Sequence, residues 1–430
     1  MQKRTQGGTH DSGAYQHDVG CGDSAVARGC RLRHSSSTSS FGEPSDDIHC
    51  SLSATEGCNA VGRTPASSPA PRPARLQCEI VASSRWQPDV LGPDFSALTF
   101  DLGNDPDGEG QITATLVRHE QGAAATAAVL YVHGFTDYFF QRPLAEFFAQ
   151  RGYAFYALDL RKCGRSQRPG QTPHHITDLA MYDAELGLAA AEINAATGGR
   201  PLLVAAHSTG GLITTLWLDR LRRGLDRLRR GLDRLHRDPG AAGPTGLVLN
   251  SPWFDLQGAP ILRSAGTTVV NSVARVRPLA TIPRKIAGAY GESLHNSVHG
   301  EWEYDLNYKP LHGYPVTFGF LSAVRRGHAT LHRGLDIGVP SLVLHSDATT
   351  LEGPAADGRT PHIDTADGVL DTRQIARWTG CLGNRVSAVP VPGARHDVFL
   401  SRQGARDTAY TELDNWLLSN DDRIRGALHE

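Results

Sequence analysis

The chain has 430 residues, 40% of them hydrophobic, with a formal net charge of −2 and arginine far outnumbering lysine. This length allows one large domain with a tail, or two to three small ones, and the near-neutral charge gives no polyanion-binding signal, so no nucleic-acid partner is expected. No run of 18 apolar residues spans a bilayer, and "MQKRTQGGTHDSG" carries no apolar stretch behind its basic residues, so a cytoplasmic protein touching membranes at most peripherally is expected.

Residues 1–78 contain runs such as "RHSSSTSS" and "RTPASSPAPRPAR". They hold too little apolar surface to offset ordering entropy and read as a disordered low-complexity leader. Cys21, Cys30, Cys50, Cys58 and Cys78 fall before residue 79, and Cys163 and Cys381 after it. An odd count without CxxC spacing predicts free thiols rather than a disulfide framework or a zinc site.

From residue 79 the pattern changes. "ALTFDL" (97–102) and "QITATLVRH" (111–119) alternate apolar and polar residues, as half-exposed strands do. Near-continuous apolar runs follow at 127–133, 153–160, 201–206, 246–251, 341–346 and 386–391. Helical patterns lie between them at 142–151, 177–195, 210–236, 372–382 and 408–419. Continuous apolar strands separated by helices predict a doubly wound α/β fold, with a mostly parallel eight-stranded sheet covered on both faces. Chemistry in such sheets gathers at the carboxyl ends of the strands.

The segment 218–238 repeats "LDRLRRG", degenerating to "LDRLHRD". Its leucines recur at alternating spacings of three and four, a heptad seam. The repeat predicts a lengthened, solvated helix, with self-association through the leucines or adsorption to an acidic membrane surface as the alternatives. Gly224 and Gly231 each weaken such a helix by about 1 kcal/mol relative to alanine.

"PLLVAAHSTGG" (201–211) runs an apolar strand directly into Ser208 and then a helix. This is the pattern of a nucleophile elbow, which needs small residues two before and two after the serine. Ala206 and Gly210 meet that need, with alanine where glycine is more common. Such a serine requires a base, an acid and an oxyanion hole. "YVHGF" (131–135) ends a strand on His133 and Gly134, a turn able to aim the Phe135 N–H at the oxyanion opposite that of Thr209. "VPVPGARHDVFL" (390–400) places His396 just past the last strand as base. Asp367 is favoured as the acid because it leaves room for one helix and one strand before His396, with 348–366 as an inserted loop. Asp347, directly after a strand, and Asp371 are the alternatives.

These residues resemble the α/β-hydrolase family. More narrowly they are similar to the monoacylglycerol lipase and lysophospholipase group, whose hydrolase domain is shared with S33 serine aminopeptidases. The likeness covers about 80–420 and rests on "YVHGFTDYFF", "YALDLRKCGRSQ", "AAHSTGG", "LVLNSPWFD", "DGVLDTRQIARW" and "PGARHDVFLS". Cys163 stands where the family turn carries a glycine. The resemblance implies Ser208 as nucleophile, Asp367 as acid, His396 as base, and Phe135 and Thr209 as oxyanion donors. It implies a hydrolase core over 79–252 and 339–430, with a mainly helical cap at 253–338 whose aromatic residues, Trp302 to Phe320, either line an acyl pocket or pack the cap. It further implies a small-molecule or lipid ester substrate and no cofactor.

Glu301, Glu303 and Asp305 raise an alternative, an aminopeptidase of the proline iminopeptidase type that holds a substrate ammonium. An acyltransferase on the same fold and a non-catalytic binding protein are further alternatives. His174, His175, His295, His299, His312, His328 and His332 lack HExxH spacing and are expected in structural or surface roles, with no metal.

Overall fold

The computed structural model describes residues 86–120, 125–232, 243–257, 260–283, 288–356 and 358–426. The expected leader at 1–78, with its five cysteines, lies outside the described residues.

The chain opens with strands β1 (Gln87–Asp89), β2 (Gly92–Asn104) and β3 (Gln111–His119), an antiparallel ribbon. Then strands and helices alternate: β4 (Ala127–Val132), α1 (Arg142–Gln150), β5 (Tyr153–Asp159), α2 (Asp183–Thr197), β6 (Leu202–His207), α3 (Thr209–Leu232) and β7 (Gly246–Asn250). After α4 (Pro260–Val276), α5 (Ala289–Leu294) and α6 (Phe318–Leu331), the alternation resumes with β8 (Ser341–Ser346), α7 (Thr372–Thr379), β9 (Val386–Val391) and α8 (Gln403–Ser419). The nine strands form one sheet in the order β1-β2-β3-β5-β4-β6-β7-β8-β9. All neighbours from β5 to β9 run parallel. The eight expected strands are all present. The ninth, β1, is a three-residue edge strand containing Pro88, too short to show a period.

The parallel strands alternate sides, and both sides are dry. Leu130, Val132, Val204 and Ala206 face a cluster completed by Leu186 of α2 and Leu212 and Leu216 of α3. Val129, Tyr131, Leu203 and Ala205 face the opposite cluster, with Phe148 of α1 and Leu413 of α8. This two-sided burial explains why the strands read as continuous apolar runs. The chain passes from β4 outward to β5, then returns across β4 to β6. That reversal opens a crevice at the carboxyl ends of β4 and β6, where doubly wound sheets bind ligands.

Helix α3 runs to Leu232, and residues 233–242 of the repeat region lie outside the described residues. Leu218 is buried in the core while Leu221 is exposed, so the first leucines of the seam stand in different surroundings. Within 253–338, α6 buries Phe320, Ala323, Val324 and Leu331 in the main core. Helix α4 rests on α6 through polar contacts, Arg325 Nε to Thr267 Oγ1 and Ser322 Oγ to Asn271 Oδ1, both 2.8 Å. It leaves Val269 60% and Val276 80% exposed. Among the described residues no helix is long and apolar enough to cross a membrane.

Candidate active site

Strand β6 ends on His207 and helix α3 begins at Thr209, so Ser208 alone makes the turn. Its φ is +51°, a left-handed conformation that costs a non-glycine residue free energy and is typical of functional turns. The elbow is pressed against the turn after β4. A Cβ on Gly134 would lie 2.9 Å from the Ser208 Cβ, and one on Gly210 would collide with the carbonyl oxygens of His133 and Val132. Only glycine allows this approach at either position. At Ala206, paired with Val132 in the sheet, a methyl fits the buried face.

Three of the sequence-predicted residues stand in one hydrogen-bonded row. Ser208 Oγ lies 3.0 Å from His396 Nε2, and His396 Nδ1 lies 2.9 Å from Asp367 Oδ2. All three are buried, Ser208 retaining 7% exposure. The other Asp367 oxygen accepts the Val369 and Leu370 amides at 2.8 and 2.7 Å, which fixes the carboxylate's orientation. With a proton on Nδ1 facing this carboxylate, Nε2 presents a lone pair to the serine hydroxyl.

The path of the chain explains how Asp367 reaches this point. After β8 it leaves the sheet at 348, then returns so that Asp367 pairs with Thr349 in a parallel bridge. The Asp367 amide donates to Ala348 O and its carbonyl accepts from Thr350 N, both 2.9 Å. Asp367 thus occupies a strand end that the local sequence assigns to Asp347. Asp347 instead accepts the Gly393 amide at 3.0 Å, and Asp371 caps α7 and pairs with Arg373.

Phe135 and Thr209 flank the serine in sequence and across the Gly134 contact. Among the described residues, no group accepts a hydrogen bond from either amide. His133 is a strut: its Nε2 accepts the Leu160 amide at 3.1 Å and its Nδ1 donates to Gly134 O at 2.7 Å, joining the ends of β4 and β5. Cys163 is buried, its Sγ 3.1 Å from His174 Nδ1, and burial pushes its thiol well up, as befits an unreactive cysteine. The aromatic residues of 300–320 mostly pack: Tyr304 on Phe140, Tyr308 on Tyr138, and Phe320 on Phe135.

Several groups around the row carry no motif in the sequence. Asn250 ends β7 beside His207 and grips the loop that carries His396. Its Nδ2 donates to Asp397 Oδ1 at 2.6 Å, and its Oδ1 accepts the Val398 amide at 3.1 Å. From α5, the Tyr290 ring meets the His396 ring edge-on at 5.6 Å, and its hydroxyl accepts the Asp397 amide at 3.0 Å. Lys309 and Asp137 pair beside His207 at 2.7 Å. Burial alone would raise the Asp137 carboxyl, but the Lys309 ammonium and the His207 ring hold it well below the usual carboxylate range. Among the described residues no cluster of three His, Cys, Asp or Glu is arranged to hold a metal ion.

The sequence profile described as "Serine aminopeptidase, S33" matches residues 123–399. The search of curated proteins gives no match. Among solved structures, the chain is similar to a lipase in its open form, at 15% identity over 77% of this chain and 99% of that one, TM-score 0.51. It is also similar to a soluble variant of monoglyceride lipase from Saccharomyces cerevisiae (16% identity, 81% and 98% covered, TM-score 0.48). A monoacylglycerol lipase from Paleococcus ferrophilus is a third (17%, 72% and 98%, TM-score 0.48). At these identities the likeness is one of fold. The profile match takes in the turn after β4, the elbow, the Asp367 bridge and the His396 loop, and the chain therefore belongs to the serine aminopeptidase S33 family of α/β hydrolases.

Proposed function

We propose that the chain is a serine hydrolase that cleaves carboxylic esters of lipid-like or small acyl substrates. The observation that carries this reading is the unbroken row from Ser208 Oγ through His396 to Asp367, with bonds of 3.0 and 2.9 Å. His396 Nε2 takes the Ser208 proton as Oγ attacks the ester carbonyl. The oxyanion forms facing the Phe135 and Thr209 amides, each donor stabilising the transition state by about 3 kcal/mol. Collapse expels the alcohol, which takes the proton from His396. A water that gives its proton to the same nitrogen then attacks the acyl-enzyme, releasing the acid and restoring Ser208. Asp367 orients the imidazole and stabilises its charged form. No step calls on a cofactor. A fluorophosphonate probe tests this: it labels the chain, and Ser208→Ala abolishes the labelling. An unlabelled parent chain overturns the reading.

The family description favours a second reading, an aminopeptidase. Its ammonium site was expected among Glu301, Glu303 and Asp305. Glu301 already pairs with Arg402 and Arg406, whereas Asp305 receives only neutral donors from Asn307, through Oδ1. On the ester reading, short acyl esters are hydrolysed faster than proline-amide reporters, and the reverse order would establish the peptidase.

A further inference from the structure

Beside the row of Ser208, His396 and Asp367 lies a second buried row that the proposed mechanism does not use. Lys309 Nζ donates to Asp137 Oδ1 at 2.7 Å, and Asp137 Oδ2 lies 3.3 Å from His207 Nδ1. Lys309 is 6% exposed, Asp137 1% and His207 3%. The His207 ring then packs against the His396 ring, with centroids 4.9 Å apart. The two rows thus meet imidazole to imidazole.

A buried ion pair is weak evidence for stability, because desolvating both charges offsets most of their attraction. The choice of lysine is also specific. Only four of the 43 basic residues are lysines. The Lys309 ammonium also faces the Phe140 and Tyr304 rings, whose centroids lie 5.6 and 5.8 Å from Nζ, an arrangement that favours a cation there.

Electrostatics supplies a role. His396 must become an imidazolium during the reaction, and a second imidazolium in contact with it would oppose that step. Asp137 is a buried anion that needs a cation, and without Lys309 the nearest candidate is His207. The other groups facing this pair do not fill that place. His133 has both nitrogens committed to backbone. Burial pushes the Tyr131, Tyr290 and Tyr304 phenols up, so they stay neutral. Asp397 is held by Asn250 and the Phe399 amide, and Asp367 by His396 itself.

We infer that Lys309 is a positioning residue acting through Asp137: it serves as the Asp137 counter-ion, so that the His207 ring against His396 is not drawn into that place. The role of His396 in this statement rests on the hydrolase reading above. The charge on His207 does not, because it is measured without turnover.

The test is an NMR titration of the His207 imidazole in the full chain. Lys309→Met leaves Asp137 with only His207, and the midpoint rises by about one pH unit or more. Asp137→Asn leaves His207 beside an uncompensated ammonium, and the midpoint falls. Lys309→Arg keeps the charge and stays close to the parent. The acid limb of kcat/KM moves to higher pH in Lys309→Met, with about a tenfold loss at neutral pH, and returns toward the parent in the Asp137→Asn/Lys309→Met double variant. The opposite signs make either single variant sufficient should the other fail to fold. A midpoint that does not move, or that moves the same way in both, overturns the inference. A fluorophosphonate-silent Ser208 together with the predicted titration would overturn the hydrolase reading and leave the charge assignment standing.

Discussion

The carboxyl edge of the sheet and the 253–338 segment meet at one imidazole but are built by different rules. At the edge, Ser208, Gly134 and Asn250 stand within two residues of the ends of β6, β4 and β7. Backbone pairing fixes these positions, and glycines at 134 and 210 let the loops touch. The segment's contributions are instead single side chains reaching across long sequence separations, Lys309 to Asp137 and Tyr290 to the His396 loop. The difference teaches that the nucleophile and the turn it presses against are set by strand ends, while the groups that adjust the imidazole reach in as single side chains from a separate part of the chain. Mutations at the edge should therefore abolish the activity, and mutations in the segment should scale it.

The largest effect breaks the edge itself. Ser208→Ala is expected to lower kcat on an acyl ester by on the order of 10⁶, with the fold retained by circular dichroism. A fall of less than tenfold would mean that another group attacks. Next, Asp367→Asn presents the wrong partner to His396 Nδ1 and should cost up to ~10⁴ in kcat. Asp347→Asn, which changes a contact to Gly393 alone, should stay within about threefold of the parent. Equal losses from both would remove the distinction that the Thr349 bridge makes.

The segment's effects are smaller. Tyr290→Phe deprives the Asp397 amide of its acceptor, which should cost roughly 1–3 kcal/mol of stability. Because that amide adjoins His396, a loss of about tenfold in kcat with little change in KM is expected. A change confined to KM would instead place Tyr290 at the substrate.

How much of this was legible in the sequence follows the same division. Strand runs, the elbow and the His396 loop are local signals, since two-sided burial and a one-residue turn leave their mark within about ten residues. Asp367 was legible by its spacing from His396, although its strand end is built by a returning loop that no local pattern reveals. His133 reads from the sequence as part of a turn, and its service as a strut between β4 and β5 depends on strand order. Lys309 and Tyr290 could not be read, because no periodicity specifies where 253–338 lies over the sheet. The one available hint was a lysine in a chain that otherwise prefers arginine.

The last effect is on stability rather than on rate, at the seam where the two regions join. His328 of α6 is fully buried; its Nε2 donates to the Trp253 carbonyl at 2.8 Å, and its Nδ1 faces Arg325 at 3.1 Å. The Trp253 amide in turn donates to Ser208 O at 3.0 Å, so this histidine braces the underside of the elbow. Burial, with Arg325 and His332 adding to it, lowers the His328 pKa to about 3, while the bond to the Trp253 carbonyl and nearby Asp255 pull the other way. A histidine lowered from 6.5 stays neutral in the folded chain where the unfolded chain gains a proton. Its contribution is therefore complete above about pH 6.5 and declines as pH falls toward 3, by up to ~1.4 kcal/mol per pH unit. Denaturant unfolding between pH 8 and pH 4 should show this slope in the parent. His328→Gln keeps an amide donor for Trp253 O but takes up no proton, so its stability deficit should shrink as the pH falls. A deficit constant across that range would mean that His328 binds its proton equally well folded and unfolded, and one that grows as the pH falls would mean that α6 is held to the elbow by a charge rather than by a neutral donor.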